Sequence, residues 1–201
     1  DNLHLQLETM VTQILIEDGR ATGVVTDQGV FSARREVIVS AGAVDTPKLL
    51  MLSGIGPADH LRDHGIDIVA DRPGVGSNLQ DHIESPLTWE ASRPAGESIN
   101  GLDLALYASL GPGDEDFDTQ VTIGHFNYWL DAPPFSELER TELAFTFSPN
   151  VARPTSRGTI RLASGDWRDK PLIDPRYFTD AENRDEAVLV AGIRLGRELA
   201  R

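Results

Sequence analysis

The sequence predicts an α+β fold, and three observations carry that expectation. Val37-Ile38-Val39 is short, β-branched and uncharged, as a strand buried on both faces requires, and it leads through Ala41-Gly42-Ala43 into a helical pattern. Residues 121–129 and 142–147 alternate apolar and polar side chains with the period of two that half-buried strands show. Val188, Ala191, Leu195 and Leu199 then recur at helical spacing near the end of the chain.

The elements follow in order. Leu3, Leu5 and Leu7 alternate with His4 and Gln6, and Val11-Thr12-Gln13-Ile14-Leu15-Ile16 comes next, so two strands are expected. Asp18-Gly19 is a hairpin turn, 21–26 the returning strand, and Gln28-Gly29 turns into Val30-Phe31-Ser32, completing a small meander that feeds the strand at 37–39. Thr46 is the expected N-cap of the following helix and Pro47 its first residue, where a missing N–H costs nothing. Leu49, Leu50 and Leu52 supply its buried side, and Gly54 with Gly56 stops it. A buried strand, a bare turn and a helix N-terminus bring backbone close to whatever lies at the strand's end, commonly an anionic cofactor.

Residues 57–65 predict a short helix with Pro57 at its start and Gly65 past its end. His60 and His64 lie four apart, a spacing that can grip a metal, but a site needs a third ligand, and histidines in a last helical turn suit the dipole and solvent, so no metal is expected. Ile66-Asp67-Ile68-Val69 reads as a further short strand. Gly74 and Gly76 open like a dinucleotide fingerprint, yet Leu79 stands in the third glycine's place and no long helical pattern follows, so that reading fails. From 93 to 118 the composition loosens into Pro, Gly and acid, with a short helix expected at 102–110. After the alternating strands, a strand, a turn and a Pro-rich connection lead to the last helix. Thr179 or Asp180 caps it, and Arg194, Arg197 and Arg201 sit in its last turns, as the macrodipole prefers.

Composition narrows the function. With 201 residues and 40% hydrophobic content the chain is large enough for one sizeable or two small domains. Lys+Arg of 18 against Asp+Glu of 32 leaves a net charge of −14, which repels phosphate backbones and makes nucleic acid an unsuitable partner. No cysteine is present, so disulfides, thiol catalysis and cysteine-bound zinc are excluded together. No apolar segment approaches the ~20 residues of a membrane helix, and no basic-then-apolar secretory pattern opens the chain; a soluble, cytoplasmic protein is the default expectation. The start at Asp1 within strand-like alternation and the end on an uncapped helix at Arg201 are expected of an internal piece of a longer protein.

Gly42-Ala43, Thr46-Pro47, Leu49-Leu50 and Ser53-Gly54-Ile55-Gly56, at this spacing, resemble the second signature of the glucose–methanol–choline (GMC) flavoprotein oxidoreductases. Pro73-Gly74-Val75-Gly76-Ser77-Asn78-Leu79-Gln80-Asp81-His82 resembles the family segment where the FAD and substrate domains meet. Ser148-Pro149-Asn150-Val151, Ser156-Arg157-Gly158-Thr159 and Ile173-Asp174-Pro175-Arg176-Tyr177-Phe178 are similar to the choline oxidase and choline dehydrogenase-like members. The resemblance implies part of an FAD-binding α/β domain at 1–83, carrying the signature at 42–56. It further implies an incomplete substrate domain at 84–201, built on an antiparallel sheet with flanking helices.

It also implies FAD as cofactor, with Val11 offering backbone contacts to the adenine, Ala41, Gly42 and Ala43 forming a close-packed wall beside the cofactor, and Asn78 at the domain junction. Asp81 and His82 are expected to order their loop. Glu84, two residues after the Asp-His pair, matches a glutamate that faces the quaternary ammonium in choline-oxidising members; such a cation has no N–H donor, so a carboxylate or an aromatic face must hold it. His125 is the second substrate-binding candidate, although direct alignment places Thr122 where the family has an active-site histidine, and only Tyr107 stands where choline-type enzymes carry tryptophans. The implied reaction is alcohol oxidation by hydride transfer to flavin. The N-terminal glycine motif for the FAD diphosphate and the catalytic histidine pair are missing from these residues, so no catalytic residue is assigned here and the 201 residues alone are expected neither to hold FAD tightly nor to turn over. The substrate, the final electron acceptor and the oligomeric state stay open, as do a GMC-fold lyase that holds FAD without redox chemistry and a non-catalytic binding module.

Overall fold

A computed structural model describes residues 2–93, 101–111, 116–125 and 143–201. It divides into two compact units that are each discontinuous in sequence: Asp1–Leu79 with Gly158–Pro175, and Gln80–Arg157 with Arg176–Arg201. The sequence-based division falls once, at 83/84, whereas here residues 158–175 return to the first unit.

The first unit opens on the meander. β1 (Val11–Glu17), β2 (Arg20–Thr26) and β3 (Gly29–Ser32) pair antiparallel in that order. Asp18 and Gly19 both take left-handed φ, 50° and 77°, which is the type I′ geometry whose twist matches a two-residue hairpin. Leu3, Leu5 and Leu7 do not form the expected strand and stand 67–78% exposed. The expected buried strand at 37–39 is also absent, and Ile38 is 79% exposed. Both stretches have strand composition, but a strand exists only through its neighbours, and among the described residues neither has a ladder partner.

Helix α1 (Gly42–Leu52) begins a turn earlier than expected. Ala41 precedes it and Gly42 enters at φ 82°, so Thr46 is not the N-cap and Pro47 lies inside the helix; the Thr46 hydroxyl instead accepts the Ala41 N–H at 3.1 Å. Its end is where glycine dictates: Ser53 follows, Gly54 turns at φ 81°, and a Cβ there would stand 2.5 Å from the Asp67 carbonyl. Ser53 Oγ accepts the Ile14 N–H at 2.8 Å and donates to the Leu49 carbonyl at 2.7 Å, tying β1 to the helix.

β4 (Ile55–Gly56) pairs parallel with β5 (Ala70–Asp71), so the strand expected at 66–69 falls just beyond it. Between them lies α2 (Ala58–Asp63), the predicted short helix, with Gly65 past its end at φ 68°. β6 (Ser77–Leu79), β11 (Gly158–Arg161) and β12 (Leu172–Asp174) form a three-stranded sheet with β11 central. Met51, Leu61 and Leu162 are the buried core, with Leu52, Ile66 and Val75 around them.

The second unit is an antiparallel sheet with one helix. β7 (Leu87–Glu90), β8 (Leu102–Ala108), β9 (Thr119–Gly124) and β10 (Ala144–Val151) run in spatial order β7-β10-β9-β8. The helix expected at 102–110 is thus the edge strand β8, and the alternation Leu102, Leu104, Leu106 is the signal it carried. Residues 126–142, which include the rest of the strand expected at 121–129, lie outside the described residues. Helix α3 (Arg184–Leu199) packs on one sheet face. Its buried stripe is Asp185, Val188, Leu189, Gly192 and Gly196; of the expected stripe Val188 is buried, Ala191 and Leu195 are half-buried, and Leu199 is 47% exposed. The closest approach is at the glycines, where a Cβ on Gly192 would stand 2.9 Å from Pro149 Cβ. Asn183 precedes the helix, and the Asp180 carboxylate accepts the Arg184 N–H at 2.6 Å; Thr179 donates elsewhere, to the Arg176 carbonyl. Ile83, Val151, Val188 and Leu189 form the core of this unit.

Candidate functional site

In the first unit the start of β1 and the start of α1 converge on a cavity of about 370 Å³. Val11 and Ala41 both line it, joined by Met10, Leu49, Leu52 and Trp167. The sequence brings them together through the meander, which returns beside α1, and through Ser53, which pins β1 to the helix's last turn. The walls are apolar with a few polar groups at the rim, Lys48 and Asp45 among them, the composition of a small-molecule or cofactor pocket. Gly42 and Ala43 lie exposed on the first turn of α1, and neither lines the cavity. Asn78 sits on β6 at φ 61°, exposed and outside that cavity. Trp167 and Lys48 escaped the sequence reading; the one signal was an aromatic residue inside the otherwise charged run Asp166-Trp167-Arg168-Asp169-Lys170.

In the second unit, register assembles a polar sheet face. Glu84 bridges Asn150; Gln120 pairs with Asn150, Thr122 with Ser148, and Thr88 with Thr146. Directly opposed residues share a face, and alternate residues of one strand do too, so Glu84, Thr88, Gln120, Thr122, Thr146, Ser148 and Asn150 all belong to one side of the sheet. Phe147, Val121 and Val151 belong to the other, the side α3 covers. Glu84 is exposed, and two strand spacings put its backbone about 10 Å from that of Gln120, with Thr122 two residues further along β9. His125 follows the end of β9, its N–H donating to the Gly101 carbonyl at 3.0 Å, one position out of step with Thr122. The Asn150 Oδ1 is buried with no hydrogen-bond partner among the described residues, an orphan acceptor on the same face as Glu84.

Asp81 accepts a hydrogen bond from the Tyr177 hydroxyl, which pushes the phenol up to about 12, chiefly through that bond with burial and the carboxylate charge adding to it. Tyr177 lies between Arg176 and Phe178, both at left-handed φ of 54° and 57°. This bond anchors the loop that leads to Glu84. His82, Ala152, Arg153, Arg157 and Arg184 line a further cavity of about 560 Å³, whose cationic wall does not suit an ammonium ion. Asp185 is fully buried beneath the Thr155–Ser156 backbone. Burial alone would raise its carboxyl, but donors from Ser156 and Thr155 outweigh it and hold the group below the ordinary carboxylate range.

His60 of α2 and His64, just past its end, stack edge to face at 4.7 Å, and His60 Nε2 accepts the Leu162 N–H at 3.0 Å. That nitrogen is committed to the backbone, so His60 is a structural acceptor of the core and not an exposed last-turn residue. Among the described residues no three metal-ligating side chains cluster.

An α/β unit with an apolar cavity at a helix start, joined in sequence to an antiparallel sheet with one polar face, is the build of a two-part cofactor-dependent enzyme. The GMC oxidoreductase family description matches residues 1–84 in its N-terminal part and 154–201 in its C-terminal part. The chain is 45% identical to choline oxidase of Arthrobacter globiformis over 190 residues, covering 91% of this chain and 35% of that protein. It is 37% identical to the oxygen-dependent choline dehydrogenase of Brucella ovis over 212 residues, covering 93% of this chain and 38% of that protein. Among solved structures, pyridoxine 4-oxidase from Mesorbium loti superposes with a TM-score of 0.80 at 26% identity, covering 96% of this chain and 39% of that one. Formate oxidase, at 23% identity and a TM-score of 0.83 over 96% of this chain and 42% of that one, shares the fold. The chain belongs to the GMC oxidoreductase family. It spans little more than a third of the length of these curated relatives. FAD is the cofactor of the family, and the apolar lining of the cavity beside Val11 and Ala41 fits a flat ring system.

Proposed function

We propose that this chain is part of an FAD-dependent alcohol oxidoreductase acting on a small cationic alcohol of the choline type. Relatives named choline oxidase and choline dehydrogenase support the substrate class. The observation that carries it is the polar sheet face, where Glu84 stands opposite Asn150 and on the side shared with Thr122. Bound FAD supplies the hydride-accepting chemistry. Val11 and Ala41 would hold its adenine end, and Gly42 and Ala43 on the first turn of α1 and Asn78 on β6 are the further cofactor-side candidates, outside that cavity. Glu84 attracts the ammonium head and so orients the alcohol, while Tyr177 and Asp81 hold the loop that carries Glu84 in place. Thr122 flanks the substrate from β9, His125, just past the end of that strand, is the second substrate-side candidate, and the proton-transferring groups lie outside these residues. The unit Asp1–Leu79 with Gly158–Pro175 corresponds to the cofactor part of that enzyme, and the unit Gln80–Arg157 with Arg176–Arg201 to its substrate part.

The test uses the full-length protein. Anaerobic addition of a cationic alcohol should bleach the flavin absorbance, and an oxidised flavin that no alcohol reduces would point to the lyase chemistry instead. Glu84→Gln should lower kcat/KM for the cationic alcohol roughly tenfold, about 1.4 kcal/mol, while leaving a neutral alcohol of the same shape unaffected. Equal losses for both substrates would remove Glu84 from the ammonium site.

A further inference from the structure

Trp167 is half-buried, belongs to neither hydrophobic core, and lines the same cavity as Val11 and Ala41. The loop that presents it is built rigidly. Asp166 N–H donates to Ser164 Oγ at 2.9 Å, Arg168 N–H donates to Asp166 Oδ1 at 2.9 Å, and Ser164 Oγ donates to the Asp169 carboxylate at 2.5 Å. Lys48, from the middle of α1, donates to the Trp167 carbonyl at 2.8 Å and so binds the loop to the helix that forms the opposite wall. The Arg168 guanidinium lies 4.8 Å from the indole centroid and fixes the ring from one side. A large aromatic side chain on a loop held by four hydrogen bonds, with Arg168 against its ring, at the edge of a nucleotide-sized cavity is pre-organised, so a planar ligand meets it with little loss of side-chain freedom.

We propose that Trp167 is the aromatic wall of the site for the adenine end of FAD, a purine-contacting residue held in position by Lys48 and the 164–169 turn. The proposal rests on the FAD assignment and not on the identity of the alcohol. An aromatic surface contacts a base through its π-face and contributes to affinity without reading the base's edge.

The experiment is isothermal titration of the flavin-free full-length protein, produced under riboflavin starvation, with ADP, which carries only the adenine end, and with FMN, which carries only the flavin end. Trp167→Ala should weaken ADP about tenfold or more and leave FMN unchanged, while Trp167→Phe, which keeps an aromatic face, should stay within about threefold of the parent for both. Unchanged ADP affinity in Trp167→Ala would overturn the proposal. Equal losses for ADP and FMN would also overturn it, because they would mark a general loosening of the fold. Since both readouts are binding and neither is turnover, failure here is distinct from failure of the cationic-alcohol reading.

Discussion

At the scale of single residues, His60 shows how a neutral acceptor couples folding to pH. Burial first, then the positive charges of His64 and Arg161, hold its imidazole below the ordinary value, while the Leu162 N–H requires its Nε2 unprotonated. The unfolded chain therefore binds a proton more readily than the folded one. The contribution is complete above the unfolded value near 6.5 and is lost as pH falls from there toward the lower folded value. The urea midpoint should thus drop between about pH 7.5 and pH 5.5. In His60→Ala the protein should be less stable at pH 7.5 by about 1–3 kcal/mol, because the Leu162 N–H is left unpaired, and that part of the pH dependence should vanish. A variant that keeps the parent's full slope would assign the slope to other groups. Sequence alone offered His60 and His64 as a spacing; only the chain's return at Leu162 shows which nitrogen is used.

At the scale of elements, α3 illustrates how small residues define a packed face. Gly192 and Gly196 sit against Pro149, Thr119, Leu87 and Phe147, so the helix approaches the sheet along a stripe with no side chain at its closest points. Gly192→Val should destabilise by about 1–3 kcal/mol, read as a lower urea midpoint, since its Cβ would fall 2.9 Å from Pro149 Cβ and 3.3 Å from Thr119 Cγ2. Val190→Ala, on the exposed side, should change stability by less than about 0.5 kcal/mol. The expected stripe of Val188, Ala191, Leu195 and Leu199 shares Val188 with the buried face and departs from it toward the helix end, because helical periodicity reports where apolar side chains recur and not how near the partner comes. Edge strand β8 was likewise legible as alternation, but its loose Gly- and Pro-rich surroundings concealed it. The turns fared better: Asp18-Gly19 and Gly54 stand where their backbone conformations require them.

At the scale of the molecule, the net charge of −14 creates a field that draws cations. For the full-length enzyme, kcat/KM with a cationic alcohol should fall as salt rises from about 0.02 M to 0.5 M, whereas a neutral alcohol of the same shape should be indifferent, because the screening length shrinks from tens of ångströms to a few. Identical salt profiles would assign the attraction to local contact alone.

The family was readable from the sequence because the residues of its signature act over short range: glycines that turn the chain, small residues that bare the backbone, leucines one helical turn apart. The same locality explains the hairpins and the end of α1. Tertiary structure alone decided which apolar stretches became strands, as residues 3–7 and 37–39 show, because a strand's hydrogen bonds belong to partners elsewhere in the chain. It also decided the candidate site. Val11, Ala41 and Trp167 share one cavity, and Glu84 faces the same side as Asn150 and Thr122, only because segments far apart in sequence pack and pair in a register that no local pattern encodes.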